Sequence, residues 1–441
     1  MNAGNKAFRL LTLVSALFGM MTALAVSVTV DKVQQRYPWN GKVDIDYEIS
    51  LAAGEVVSNV ENFLEFTAID NSVRPARNYS ARAFIQPLSL AEGRHRVTWD
   101  ANADGLAIVS PSLVLAARIV TRPARYMVID LSAGSSASTY PVDYLDGEPV
   151  GGFCTDEYRG NKLVLRRIVP GSFIAGSPTS EPKRTSANEV QHPVALANEY
   201  YIGIFELTQR QLQLISGEDT LSGNSYQGVY RPVDHKGWNE IIAGSTNGSD
   251  NYNWPSNSNI ASGTALGRLN SKCRAKGASG VYDVPLTGFT LPTEAQWEYA
   301  CRAGTDTPFG NGVPCATEAE LKEQMDKMGR HSGNKGDGAG GYTDAHTTVG
   351  SYQPNAWGLY DMHGNVSEWC LDHYQANLQA LGQLVEPTGP ITYRDAQRVT
   401  RGGSFNVVPA SCRSASRDTG DPSANNQRKA QWGYRIAFVV R

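Results

Sequence analysis

The sequence predicts an α+β protein in which an N-terminal β-sandwich precedes a loop-rich mixed domain. Three observations carry this. Apolar residues alternate with polar ones over much of residues 26–122, the period-two pattern of half-buried strands. From residue 155 onward, short strand patterns mix with helices that begin on capping residues. The 43 glycines and 22 prolines in 441 residues break the chain too often for long helical repeats.

Taken in order, residues 1–25 have the layout of a signal peptide. Lys6 and Arg9 precede a mostly apolar run from Leu10 to Leu24, and Ala23-Leu-Ala25 is a small-x-small cleavage signal. The alternative is a retained N-terminal anchor, for which the run is short and interrupted by Thr and Ser. With cleavage the protein is expected to be secreted, periplasmic or at the cell surface, with no transmembrane span remaining.

Residues 26–122 supply the sandwich. Val26, Val28 and Val30 alternate with polar residues, as do Val43, Ile45, Tyr47 and Ile49. Asn40-Gly41 between those runs is a hairpin-turn signal. Arg96–Asp100 and Leu113–Arg118 read as further strands, and nothing there clusters charge or aromatics for chemistry. Residues 123–154 are expected to be a connector, because Ser132 to Thr139 is small and polar. The remaining domain spans 155–441. Its strands include Leu163 to Ser177. Its helices include one capped by Thr208 and one capped by Thr293, with Gln296 at the capping-box position and Gly304 ending it.

A net charge of −3 gives no basic excess for nucleic acid or a membrane surface. The six cysteines allow up to three disulfides in a secreted protein, but no CxxC pair points to a zinc ribbon. The seven histidines show neither HxH nor HxxxH spacing. Trp238, Trp254, Trp357, Trp369 and Trp432 are either groove walls for a sugar or peptide or, more commonly, core staples.

The ordered segments Phe205-Glu-Leu-Thr208, Leu291-Pro-Thr-Glu294, Gly358-Leu-Tyr-Asp-Met-His-Gly-Asn365, Arg401-Gly-Gly-Ser404 and Gly433-Tyr-Arg435 resemble the formylglycine-generating enzyme (sulfatase-modifying factor) family. The resemblance implies an elaborated C-type-lectin-like fold over residues 155–441. It also implies an active site of two cysteines after the Gly-Gly-Ser segment, which together bind copper(I) and activate oxygen to oxidise a sulfatase cysteine. Ser404 matches the family serine and Cys412 the second cysteine, whereas the first cysteine position is Val407. Valine has no donor for the soft metal, so copper is doubtful here. Cys412 is then a buried structural thiol, half of a disulfide, or a residual reactive thiol beside Arg413. Cys370 is the other thiol to consider as its partner.

The same resemblance implies structural calcium on Asp361, Gly364, Val366 and Glu368, as two carboxylates and two backbone carbonyls on one tight turn. These are hard oxygen donors of the kind calcium takes. The plainer reading is that Glu368 caps the loop. A second family calcium site falls near Asn334 and Lys335, with Gly341 where an aspartate is expected and Asp337 or Asp344 as substitutes.

Three functions follow. The first is a family member without the copper pair, and so without formylglycine synthesis. The second is an active thiol oxidase. The third is a lectin-like module that displays loops to a protein, peptide or glycan ligand. Fold alone cannot choose among them.

Overall fold

The computed structural model describes residues 27–440 apart from 37–39, 52–61, 72–76, 82–84, 86–87, 90, 105, 107–109, 111–112, 122–123, 219–225, 245–253, 256–258, 277–280, 336–343, 391–396 and 423–429. The signal peptide expected at 1–25 lies outside the described residues. The chain divides into two compact units, one within the first 122 residues and one from residue 123 to the C-terminus.

In the first unit, Ser27–Gln35, Lys42–Ser50 and Gly93–Asp100 form an antiparallel sheet, with Lys42–Ser50 in the middle. Arg77–Ala81, Asn62–Asp70 and Leu113–Thr121 form a second antiparallel sheet. Val43, Ile45, Tyr47 and Ile49 are buried in one core with Phe66, Ala68, Trp99 and Leu115 from both sheets. Their period-two spacing puts every one of them on the same face. Gly41 sits at φ +77°, the left-handed geometry that the Asn40-Gly41 pair supplies cheaply.

The second unit is built on an eight-stranded sheet. Its strands run, across the sheet, Tyr282–Pro285, Cys273–Lys276, Tyr140–Leu145, Tyr126–Asp130, Lys162–Ile168, Tyr200–Gly203, Ala437–Val439 and Phe289–Thr290. The expected connector at 123–154 is therefore corrected: it contributes two central strands. The reason is local. Tyr126, Met127, Val128 and Ile129 are all buried, so this is a strand covered on both faces. The small polar Ser132–Thr139 stretch is only the turn that joins it to its neighbour.

Among the described residues the second unit has five α-helices: α1 (Gln209–Ser216), α2 (Trp238–Ile242), α3 (Ala265–Lys272), α4 (Glu294–Arg302) and α5 (Glu318–Met328). Thr208 and Thr293 cap α1 and α4 with complete capping boxes, through Gln211 and Gln296. Helix α4 ends one residue before Gly304, at Ala303 with φ +49°. A four-stranded sheet holds Arg417–Gly420, Arg398–Arg401, Ser367–His373 and Trp432–Gly433 in that order. Every residue of α4 and of Ser367–His373 is buried. This is where the motif residues converge.

Candidate functional site

Two corners meet the motifs. The first is the Gly-Gly-Ser loop. Gly402 and Gly403 both have positive φ. A Cβ on Gly403 would stand 2.8 Å from the Cys412 sulfur and 2.7 Å from the Ser411 carbonyl oxygen, so only glycine lets the loop close over that thiol. Ser404 is fully buried, and its hydroxyl donates to Asn406 Oδ1 at 2.8 Å. Cys412 ends the short 3₁₀ turn Pro409–Cys412. It is fully buried in an apolar cluster with Phe309, Cys315, Leu321, Met325 and Met328, against which Val407 packs half-buried. The structure thus gathers Ser404, Val407 and Cys412 in one corner.

Electrostatics at that corner disfavour a thiolate. Burial pushes the Cys412 thiol up to about 12, and the Ser404 backbone N–H offsets this only in part. Arg413 is its sequence neighbour but is spent elsewhere. Its guanidinium donates to Glu181 Oε1 at 2.5 Å and to both oxygens of Glu189 at 2.8 and 2.9 Å. His363 holds the Cys412 backbone: Nδ1–H donates to the Cys412 carbonyl at 2.8 Å while Nε2 accepts from the Gly310 N–H at 3.0 Å. Those partners fix its neutral tautomer, and burial lowers its pKa to about 4. Cys301 lies 3.6 Å from His363 Nε2 and is likewise pushed to about 12 by burial. All six cysteines are described and none is in a disulfide. Cys370 sits in a different core from Cys412, on the strand Ser367–His373.

The second corner is the turn 361–368. Asp361, Gly364 and Asn365 all have positive φ, which curls the chain tightly. A Cβ on Gly364 would stand 2.0 Å from the Arg330 carbonyl oxygen. Asp361 is buried. Its Oδ2 accepts from the Gly350 N–H at 2.6 Å, and its Oδ1 is buried without a hydrogen-bond partner. Glu368 takes two bonds from Arg435 and a third from Trp297 Nε1 at 2.7 Å.

The sequence reading missed a third carboxylate here. Glu206, from the Phe205-Glu-Leu-Thr208 segment, is fully buried and accepts from the Val366 N–H at 3.0 Å and from Asn365 Nδ2 at 2.5 Å. Burial drives its carboxyl well above the usual range, and the charges of Asp361 and Glu368 drive it further. Burial also raises Asp361 to about 6, against the pull of the Gly350 N–H and Arg435. Three acids thus share one buried region with Arg435 as their near counter-ion. The signal in the sequence was a glutamate inside an otherwise apolar strand exit, a position at which an exposed charge would be unusual.

Helix α4 carries a further network. Glu294 pairs with Arg417, and Glu298 with both Arg302 and Arg401. At the other expected calcium site, Lys335 Nζ reaches Asp344 at 2.8 Å, while Asp337 and Gly341 lie outside the described residues. Of the tryptophans, Trp238, Trp369 and Trp432 are core residues, and Trp254 and Trp357 are half-buried.

The family described as "Sulfatase-modifying factor enzyme 1-like domain" matches residues 157–439, well over half of the chain. The formylglycine-generating enzyme of Thermomonospora curvata is 35% identical over 167 residues, covering 34% of this chain and 49% of that protein. The serine/threonine-protein kinase pkn1 of Chlamydia pneumoniae is 35% identical over 163 residues, covering 36% of this chain and 22% of that protein. The chain thus spans about half the length, or less, of these curated relatives. Among solved structures, Treponema denticola variable protein 1 superposes with TM-score 0.45 at 22% identity, covering 63% of this chain and 96% of that one. The match to the family pattern, extending from Glu157 through the last strand, establishes that this chain belongs to the sulfatase-modifying factor enzyme 1-like family.

Proposed function

We propose that this chain is a secreted, periplasmic or cell-surface member of the family that does not synthesise formylglycine and serves instead as a lectin-like scaffold that binds and displays a ligand. One observation carries the reading: Val407, which the motif resemblance aligns with the first family cysteine, packs against the apolar cluster that buries Cys412. A fully buried thiol with a raised pKa, with valine at the aligned partner position, does not fit a two-thiolate copper(I) site. The two sheets of the first unit are read as a β-sandwich that acts as a spacer. The relatives named as formylglycine-generating enzymes make synthesis the activity to test. A sulfatase-type cysteine peptide incubated with the protein, copper and oxygen should keep its thiol by mass spectrometry. Appearance of the aldehyde in place of –CH₂SH overturns the proposal and directs attention to Cys315, which shares the Cys412 cluster, as the second sulfur.

The donors of the 361–368 turn support structural calcium. The orphaned buried Oδ1 of Asp361 is an acceptor in want of a cation, and every donor there is a hard oxygen. Asp361 with the carbonyls of Gly364 and Val366 would hold the ion, and Glu368 would share its charge between the ion and Arg435. Its chemistry would be charge neutralisation, not catalysis.

A further inference from the structure

A second site lies away from both corners. A cavity of about 550 Å³ opens where the last strand of the eight-stranded sheet, Phe289–Thr290, meets the start of α4 and the chain at 386–388. This is within the roughly 300–1,000 Å³ of small-molecule sites. None of Asp361, Glu368, Ser404, Val407 or Cys412 lines it.

Its chemistry is narrow. Among the described residues the polar lining is hydroxyl and carboxamide, with Asn259, Asn270, Thr287, Thr290, Gln296 and Thr388 among its members, and the ionisable lining residue is Glu386. Among the described residues no lysine or arginine lines it, so an anion entering would lose its hydration without a counter-ion from them. Trp254 forms part of the wall, and its indole N–H donates to the Thr388 carbonyl at 3.1 Å. That bond fixes the ring and uses its only donor, so the cavity meets the aromatic surface.

The edge strand also limits what can bind. A peptide adding to Phe289–Thr290 as a further strand would need free main-chain groups. Asn270 already takes both at Phe289: its Nδ2 donates to the Phe289 carbonyl at 2.9 Å, and its Oδ1 accepts from the Phe289 N–H at 2.8 Å. The amide side chain imitates a neighbouring strand and closes the edge.

An aromatic wall with surrounding hydroxyls and amides, no cation among the described lining residues and a blocked edge suits one ligand class. We propose that this cavity binds a neutral saccharide, whose C–H face packs on Trp254 while its hydroxyls bond to the threonine and amide lining. The inference names a ligand class for the proposed binding role, yet it does not depend on whether the Cys412 corner is active.

The test uses the full-length chain and three neutral disaccharides: lactose, cellobiose and N,N′-diacetylchitobiose. Binding is read by saturation-transfer NMR and tryptophan fluorescence. At least one sugar should saturate the protein, and Trp254→Ala should weaken it about tenfold or more, as loss of an aromatic contact predicts. Thr287 is exposed at the rim, so Thr287→Arg should leave melting unchanged while blocking the cavity with bulk and charge. That variant keeps the test valid if Trp254→Ala fails to fold. Saturation by none of the three sugars, binding indifferent to Thr287→Arg, preference for a sialylated sugar, or Thr287→Arg-sensitive binding of extended peptides alone would each overturn the proposal. The formylglycine assay is read separately, so the failure of one reading leaves the other standing.

Discussion

Arg435 grips Glu368 as a fork, Nε to Oε2 at 2.6 Å and Nη2 to Oε1 at 2.6 Å, with both side chains buried. The Gly433-Tyr-Arg435 motif near the C-terminus is thereby tied to the turn that ends in Glu368. The remaining guanidinium bonds reach the carbonyls of Gly203 and Tyr360, so one side chain joins three segments. Arg435→Met should leave Glu368 buried and unpaired, next to Glu206 and Asp361. The expected loss is about 3–5 kcal/mol by urea denaturation, the usual cost of breaking a buried pair. A loss under about 1 kcal/mol would show that Glu368 has another counter-charge.

Stability should depend on pH through the buried acids. Burial raises Asp361 to about 6 and Asp372 to about 7. A carboxyl with a raised folded pKa stabilises fully below its unfolded value near 4, and that contribution is lost as pH rises through the folded value. Without a cation, these two groups should therefore weaken the fold progressively between about pH 4 and pH 7. On the calcium proposal the ion would replace the proton on Asp361, so added calcium should raise the melting temperature more at pH 7.5 than at pH 5. Asp361→Asn should remove that calcium increment. Identical melting with calcium and with chelator at both pH values would refute the calcium reading.

The thiols should differ in reactivity. Cys154 is half-buried, while Cys301, Cys370 and Cys412 are fully buried with raised pKa values. Iodoacetamide on the native protein should label Cys154 first and spare those three until denaturant is added. Peptide mapping checks this, and rapid native labelling of Cys412 would contradict its burial.

Val407→Cys should place a third cysteine sulfur at the cluster that holds Cys412 and Cys315. Copper(I) affinity, followed by competition with a chromogenic chelator, should rise over the wild-type protein. Equal affinity in the two proteins would mean that burial keeps both thiols protonated.

Gly364→Ala should be strongly destabilising. The added methyl would sit 2.0 Å from the Arg330 carbonyl oxygen in a residue at φ +77°. Left-handed strain alone costs about 1–2 kcal/mol, and the backbone clash adds to it. Thermal melting gives the loss, and a fall below about 1 kcal/mol would show that the turn can relax.

Local patterns determined a good deal of this protein in advance. Period-two alternation gave the faces of Lys42–Ser50, because successive strand side chains point to opposite sides. Thr208 with Gln211 and Thr293 with Gln296 marked two helix starts, because a capping box is satisfied within four residues. The ordered motifs placed the family. Other features depend on residues far apart in the chain. Only the fold pairs Glu368 with Arg435 across 67 positions and Arg413 with Glu189 across 224. Only the fold turns the expected connector into central strands, because burial on both faces requires neighbours on both sides. The sequence supplies the charges and thiols, but burial sets their ionisation, and burial is a property of the packed chain as a whole.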